Sequence, residues 1–123
     1  MTLEPHPSYQ TRMHALDPTR ADVRVHFDNL PPDVEVRGRL MGPRCPGVTT
    51  VEVAYAMRPR PEEGAGVFQV IIPEPNLWTA EHPFRYEGPV EFWRQGRRVG
   101  QTILSIGLRL EKNAPSLQAH PDK

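Results

Sequence analysis

Along most of this chain hydrophobic and polar residues change places at every step, the period of a β-strand whose side chains leave alternately by its two faces. Val23, Val25 and Phe27 alternate with Arg24, His26 and Asp28, and Val34, Val36, Gly38 and Leu40 with Glu35, Arg37 and Arg39. Val51, Val53, Tyr55 and Met57 form a third series, Phe68, Val70 and Ile72 a fourth, and Tyr86, Val90 and Phe92 a fifth. The last runs through Thr102, Leu104, Ile106, Leu108 and Leu110. This pattern predicts six or seven strands, each apolar on one side, and so antiparallel sheets with a wet outer face. Short strands divided by Gly/Pro turns predict an all-β fold of two stacked sheets, a β-sandwich. Gln95-Gly96-Arg97 predicts a tight hairpin between the last two strands. Glu62-Glu63-Gly64-Ala65-Gly66 predicts a flexible, hydrated tip between the third and fourth.

Fifteen prolines among 123 residues reinforce the reading. Inside a helix each would remove a hydrogen bond and clash with the preceding turn, at ~3 kcal/mol, so a mostly helical protein is excluded. The one stretch with helical character, Gln10 to Ala21, is broken by Pro18. The first residues show little apolar periodicity, and the chain is polar again after the last strand. The expected organisation is a flexible N-terminal arm over 1–19, the sandwich over 20–111 and a polar tail over 112–123.

Charge and targeting narrow the partners. Fifteen Lys+Arg balance fifteen Asp+Glu, a net charge of zero, so there is no excess to hold a polyphosphate and no nucleic-acid partner is expected. No run approaches the ~18 apolar residues of a membrane helix. Met1-Thr2-Leu3-Glu4-Pro5-His6-Pro7 lacks the basic start and apolar segment of a secretory signal. A cytoplasmic protein without a membrane partner is therefore expected, and its single cysteine, Cys45, can form no internal disulfide.

The inventory of reactive side chains points away from catalysis. His6, His14, His26, His82 and His120 never fall at the short spacings of a zinc site, although His14 and His26 could meet in space. Cys45 lies in the turn Gly42-Pro43-Arg44-Cys45-Pro46-Gly47, where Arg44 could favour a thiolate but a plain small side chain fits equally. Glu62 and Glu63, on a hydrated tip, lack the burial that would raise a carboxyl pKa for acid catalysis. No phosphate loop, nucleophile elbow or calcium loop is present. Neither an enzymatic activity nor a cofactor is expected.

One segment is distinctive: Ile71-Ile72-Pro73-Glu74-Pro75-Asn76-Leu77-Trp78-Thr79-Ala80-Glu81-His82-Pro83-Phe84-Arg85-Tyr86. A strand ends at Pro73, Pro75 keeps the backbone extended or turning, and Leu77 and Trp78 are placed to plug the open end of the core. Pro83 then re-aims the chain into a strand whose Tyr86 points inward. An ordinary core tryptophan in an inter-sheet crossover fits as well. The order of Ile72, Pro73, Pro75, Leu77, Trp78, Glu81, Pro83 and Tyr86, followed by Gly107-Leu108-Arg109, resembles the immunoglobulin-like β-sandwich domain of glycoside hydrolase family 2, which includes β-galactosidases, β-glucuronidases and β-mannosidases. The resemblance spans residues 20–111 and is strong over 71–109; Arg85 replaces an aliphatic residue of the family pattern, and Leu108 a phenylalanine.

The resemblance implies an immunoglobulin-like topology and an accessory, non-catalytic role. In that family the domain stands between a sugar-binding jelly roll and a barrel carrying the catalytic glutamates, and those glutamates map to no position here. Fold likeness alone transfers no activity. The expectation is thus a scaffold or protein-interaction module with a protein partner or neighbouring domain. Trp93, with Arg94, Arg97 and Arg98, is the candidate interaction surface, since aromatic and arginine side chains dominate binding hot spots; alternatively Trp93 lies as a second layer under the arginine stems. Two other functions stay open: a carbohydrate-binding module stacking a sugar on Trp78 or Trp93, and a hydrolase component assembled with a separate catalytic barrel.

Overall fold

A computed structural model describes residues 7–109. The strands are β1 (Ser8–Asp17), β2 (Arg20–Asp28), β3 (Glu35–Arg44), β4 (Val53–Ala56), β5 (Arg58–Pro59), β6 (Val67–Pro73), β7 (Arg85–Arg94) and β8 (Arg97–Ile106). They form two antiparallel sheets in the orders β1-β2-β6-β5 and β4-β3-β7-β8. This is the immunoglobulin-like arrangement, an A-B-E-D sheet facing a C-F-G sheet with one strand added beside C. The strands number eight, rather than six or seven.

The two strands beyond the six predicted series are β1 and β5. Residues 8–17 are strand β1, not part of a flexible arm, and pair with β2 from Ser8↔Asp28 to Asp17↔Arg20. Tyr9, Thr11 and Met13 lie opposite the inward-facing Phe27, Val25 and Val23. The register then shifts between Met13 and Ala15, so the next buried residue is Leu16, of the other parity. A bulge that inserts one residue, here His14, exchanges the two faces and erases the period from the sequence. Of the third predicted strand, Val51 to Met57, only Val53–Ala56 is strand (β4), and the chain then crosses to the other sheet as the short β5, Arg58–Pro59. Val51 lies outside both and is 85% exposed. The expected tail over 112–123 lies outside the described residues.

The turns follow local chemistry. Asp17 caps the β1–β2 turn by accepting hydrogen bonds from the Thr19 amide (2.8 Å), the Thr19 hydroxyl (2.6 Å) and the Arg20 amide (3.1 Å). These donors, the Thr19 hydroxyl first, lower its pKa. The β7–β8 hairpin turns at Gln95 and Gly96, with φ of 50° and 77°. Two positive φ values in a two-residue loop match the right-handed twist of the flanking strands.

Inward-facing residues of both sheets make one core: Val23, Val25, Val70 and Ile72 from the first, Leu40, Val90, Phe92 and Leu104 from the second, all fully buried. Phe27 ties the layers together through edge-to-face contacts with Phe68 (5.7 Å) and Phe92 (5.6 Å). β7 runs between β3 and β8 and yet contains Gly88-Pro89. Proline cannot donate to a ladder and is ordinarily confined to edges or bulges. Here the neighbouring glycine lets β3 approach so closely that a Cβ at Gly88 would lie 1.8 Å from the Arg39 carbonyl oxygen.

Candidate interaction surfaces

The two parts of the distinctive motif, distant in sequence, meet at one end of the sandwich. After β6 ends at the exposed Pro73, Glu74 takes a φ of 47° and donates its amide to the Thr19 carbonyl (2.9 Å), turning the chain out of the sheet. Pro75 is buried, and Leu77 is half-buried against the core. The Trp78 amide donates to the Leu108 carbonyl (2.7 Å), its ring lies against Gly107 so that a Cβ there would be 2.7 Å from Cδ1, and the Arg109 guanidinium sits 4.0 Å over the ring centre. Pro83 pairs with Trp78 across a short antiparallel bridge. Glu81 remains exposed in the intervening turn, which is closed by the His82 amide donating to the Thr79 hydroxyl (3.0 Å). Trp78 is accordingly a half-buried cover held by an arginine, not the interior plug expected of it.

Tyr86 does lie inside. It is 1% exposed, packs edge-on to Tyr55 at 6.2 Å, and its hydroxyl accepts the Asn76 amide at 2.9 Å. Burial raises its pKa. The bond fastens the crossover to β7 from beneath, as Trp78 fastens it to the end of β8. Removing the hydroxyl in Tyr86→Phe should cost about 1 kcal/mol, the net worth of one hydrogen bond, measurable as a lower urea midpoint with an unchanged slope. An unchanged midpoint would show that the crossover does not depend on this bond.

The second tryptophan lies on the outer face of the β3-β7-β8 sheet. Trp93 is half-buried, its Nε1–H donates to Glu91 Oε1 (3.0 Å), and the Arg37 guanidinium lies 4.3 Å over its ring. The arginine that covers it thus comes from β3, the neighbouring strand, and not from the hairpin. Of the three hairpin arginines, Arg98 joins the cluster by donating to Glu91 Oε2 (3.3 Å). Arg94 is turned away into a two-pronged bond with Asp33 (2.9 and 3.3 Å), and Arg97 stands exposed at the turn. The indole N–H first, then Arg98, holds the Glu91 carboxyl below its ordinary pKa. On the same face, Ile103, paired with Pro89, is 54% exposed.

The outer face of the β1-β2-β6-β5 sheet carries a charged network that periodicity concealed. Asp22 and Arg24 occupy polar positions of an alternating strand and are nonetheless buried, because the turn Pro61–Glu63 folds over them. Arg24 bonds Asp22 and grips Glu63 with Nε (2.9 Å) and Nη2 (3.1 Å), while Gln69 Nε2 donates to Asp22 Oδ2 (3.2 Å). Arg60 adds ion pairs to Glu62 (2.7 Å) and Glu63 (3.2 Å). Glu63 remains exposed on the tip but is not a free side chain: its bond from Arg24 holds its carboxyl below the ordinary range. A groove of roughly 880 Å³ wraps the β1 edge of this sheet, lined by Arg12, His14, Arg24, His26 and Glu63 from the outer face, by Tyr9 from the inner side of β1 and by Ser105 of β8. His14 and His26, which could have met, lie on either side of the Arg12–Arg24 strand pair.

The remaining candidates separate. Cys45 is buried, and Arg44 beside it directs its guanidinium to Glu52 (3.0 Å) and Glu87 (3.5 Å). Among the described residues no three His, Cys, Asp or Glu side chains are grouped to hold a metal ion, and no helix is long and apolar enough to cross a membrane. No protein-family model and no curated protein matches the chain.

Proposed function

We propose that this chain is a non-catalytic immunoglobulin-like module that serves as a scaffold or protein-interaction domain, of the kind that accompanies the catalytic barrel in family 2 glycoside hydrolases. The observation carrying this reading is that each tryptophan has a guanidinium over its ring, Arg37 on Trp93 and Arg109 on Trp78. A sugar stacking on either ring would first have to displace that arginine, whereas a protein partner can use the pair as it stands. Trp93, Arg37 and Arg98, with Ile103 further along the same face, have the aromatic, arginine and apolar make-up of an interface anchor. The partner is a protein or a neighbouring domain, docking on the outer face of the β3-β7-β8 sheet.

Affinity capture with the full chain, run beside Trp93→Ser and Arg37→Ala, tests the reading. A discrete partner retained by the native chain and lost by both variants, at unchanged melting temperature, is expected. Identical captures by all three would overturn it. So would a tryptophan fluorescence shift with millimolar neutral sugar, which would favour carbohydrate binding instead.

A further inference from the structure

We propose that the groove at the β1 edge of the β1-β2-β6-β5 sheet binds a small oxyanion, a phosphate or carboxylate group, with Arg12 as its principal ligand. Arg12 and Arg24 are direct partners on β1 and β2, an arrangement that is repulsive unless each charge is matched. Arg24 is matched: its side chain is 9% exposed and is bonded to both Asp22 and Glu63. The other arginines of the network are matched as well, Arg20 to Asp22 at 3.7 Å and Arg60 to Glu62 and Glu63. Asp22, Glu62 and Glu63 thus already serve Arg20, Arg24 and Arg60. Among the described residues Arg12 has no ion-pair partner, and it lines the groove.

The surroundings suit an anion further. His14 and His26 both line the groove and can donate N–H hydrogen bonds. The Gln10 side chain in the lining adds a further donor. The one carboxylate in the lining, Glu63, has its oxygens occupied by Arg24 and Arg60. With Arg24 already matched by Asp22 and Glu63, the uncompensated charge at the groove is that of Arg12, which is exposed and can close a planar two-pronged grip on an incoming oxyanion. This site is on the sheet opposite the tryptophan cluster and does not depend on the partner proposed there.

Calorimetric titration of the full chain with inorganic phosphate, with malonate and with glucose, at constant ionic strength, tests the assignment. Saturable binding of at least one oxyanion with a dissociation constant of roughly millimolar order is expected, and the stronger of the two identifies the group preferred. Arg12→Gln, an exposed substitution, should weaken that binding by about tenfold or more, the contribution of a charge-assisted hydrogen bond, at an unchanged melting temperature. Equal binding by Arg12→Gln, equal binding of glucose, or no saturable heat with either oxyanion would overturn the assignment.

Discussion

Gly88→Ala should destabilise the protein by about 3 kcal/mol or more, far beyond the usual cost of a methyl group. The added Cβ would meet the Arg39 carbonyl oxygen at 1.8 Å and the Arg39 carbonyl carbon at 2.8 Å. Both are backbone atoms, so no rotamer change relieves the clash; β3 must move off β7. For a domain of about this size that loss corresponds to a fall of roughly 12–24 °C in melting temperature. Gly96→Ala provides the comparison. At φ 77° with nothing within 4 Å of the new Cβ, it carries backbone strain but no collision, and should cost about 1 kcal/mol. Similar losses in the two variants would show that β3 and β7 do not approach as described.

The second large effect is expected at Arg24. Arg24→Met keeps the aliphatic stem but leaves Asp22, whose side chain is 6% exposed, with only Gln69 and a 3.7 Å contact to Arg20. Breaking a buried pair from one side costs about 3–5 kcal/mol, because the remaining charge keeps its desolvation penalty; partial compensation by Gln69 sets the expectation at the lower end. Adding Asp22→Asn should recover a substantial part, giving a positive coupling in a double-mutant cycle. The pair also has a pH signature. Glu63 is held below its ordinary pKa chiefly by its bonds from Arg24. Its stabilising contribution is therefore complete above the ordinary glutamate value of about 4.3 and is lost as pH falls through the lowered folded value. Arg24→Met should flatten the decline of melting temperature below about pH 4.3; an unchanged slope would separate Glu63 from this network.

Much of the fold was legible from alternation, because one-sided burial imposes a two-residue period wherever a strand runs unbroken. Val23 to Phe27, Phe68 to Ile72 and Tyr86 to Phe92 all face the core as their spacing predicts. The pattern failed where the backbone departs from a regular ladder. The bulge at His14 exchanged the faces of β1, and the chain changed sheets between β4 and β5. The surfaces were less legible, since strand period tells which side a residue takes but not what covers it. Trp93 was placed on the outer face correctly, yet its covering arginine, Arg37, comes from a strand far away in sequence. Asp22 and Arg24 sat at polar positions, and only the folded-over turn at Pro61–Glu63 buries them. Glu63 itself offered one signal in retrospect: the preceding Arg60-Pro61 restricts the backbone just before the glycines, so the tip was less free than its composition implied.

The bond from the Trp78 amide to the Leu108 carbonyl joins positions thirty residues apart. Closing a loop of that length is unfavourable while the intervening chain is open, and nearly free once a hairpin has already drawn the ends together. The β7–β8 ribbon, built on a two-residue turn, is the local structure that can form early. Order of assembly is thereby written into the connectivity: the indole at position 93 should report an early event in refolding and the indole at position 78 a late one, so two single-tryptophan variants would serve as clocks for successive stages of the same reaction.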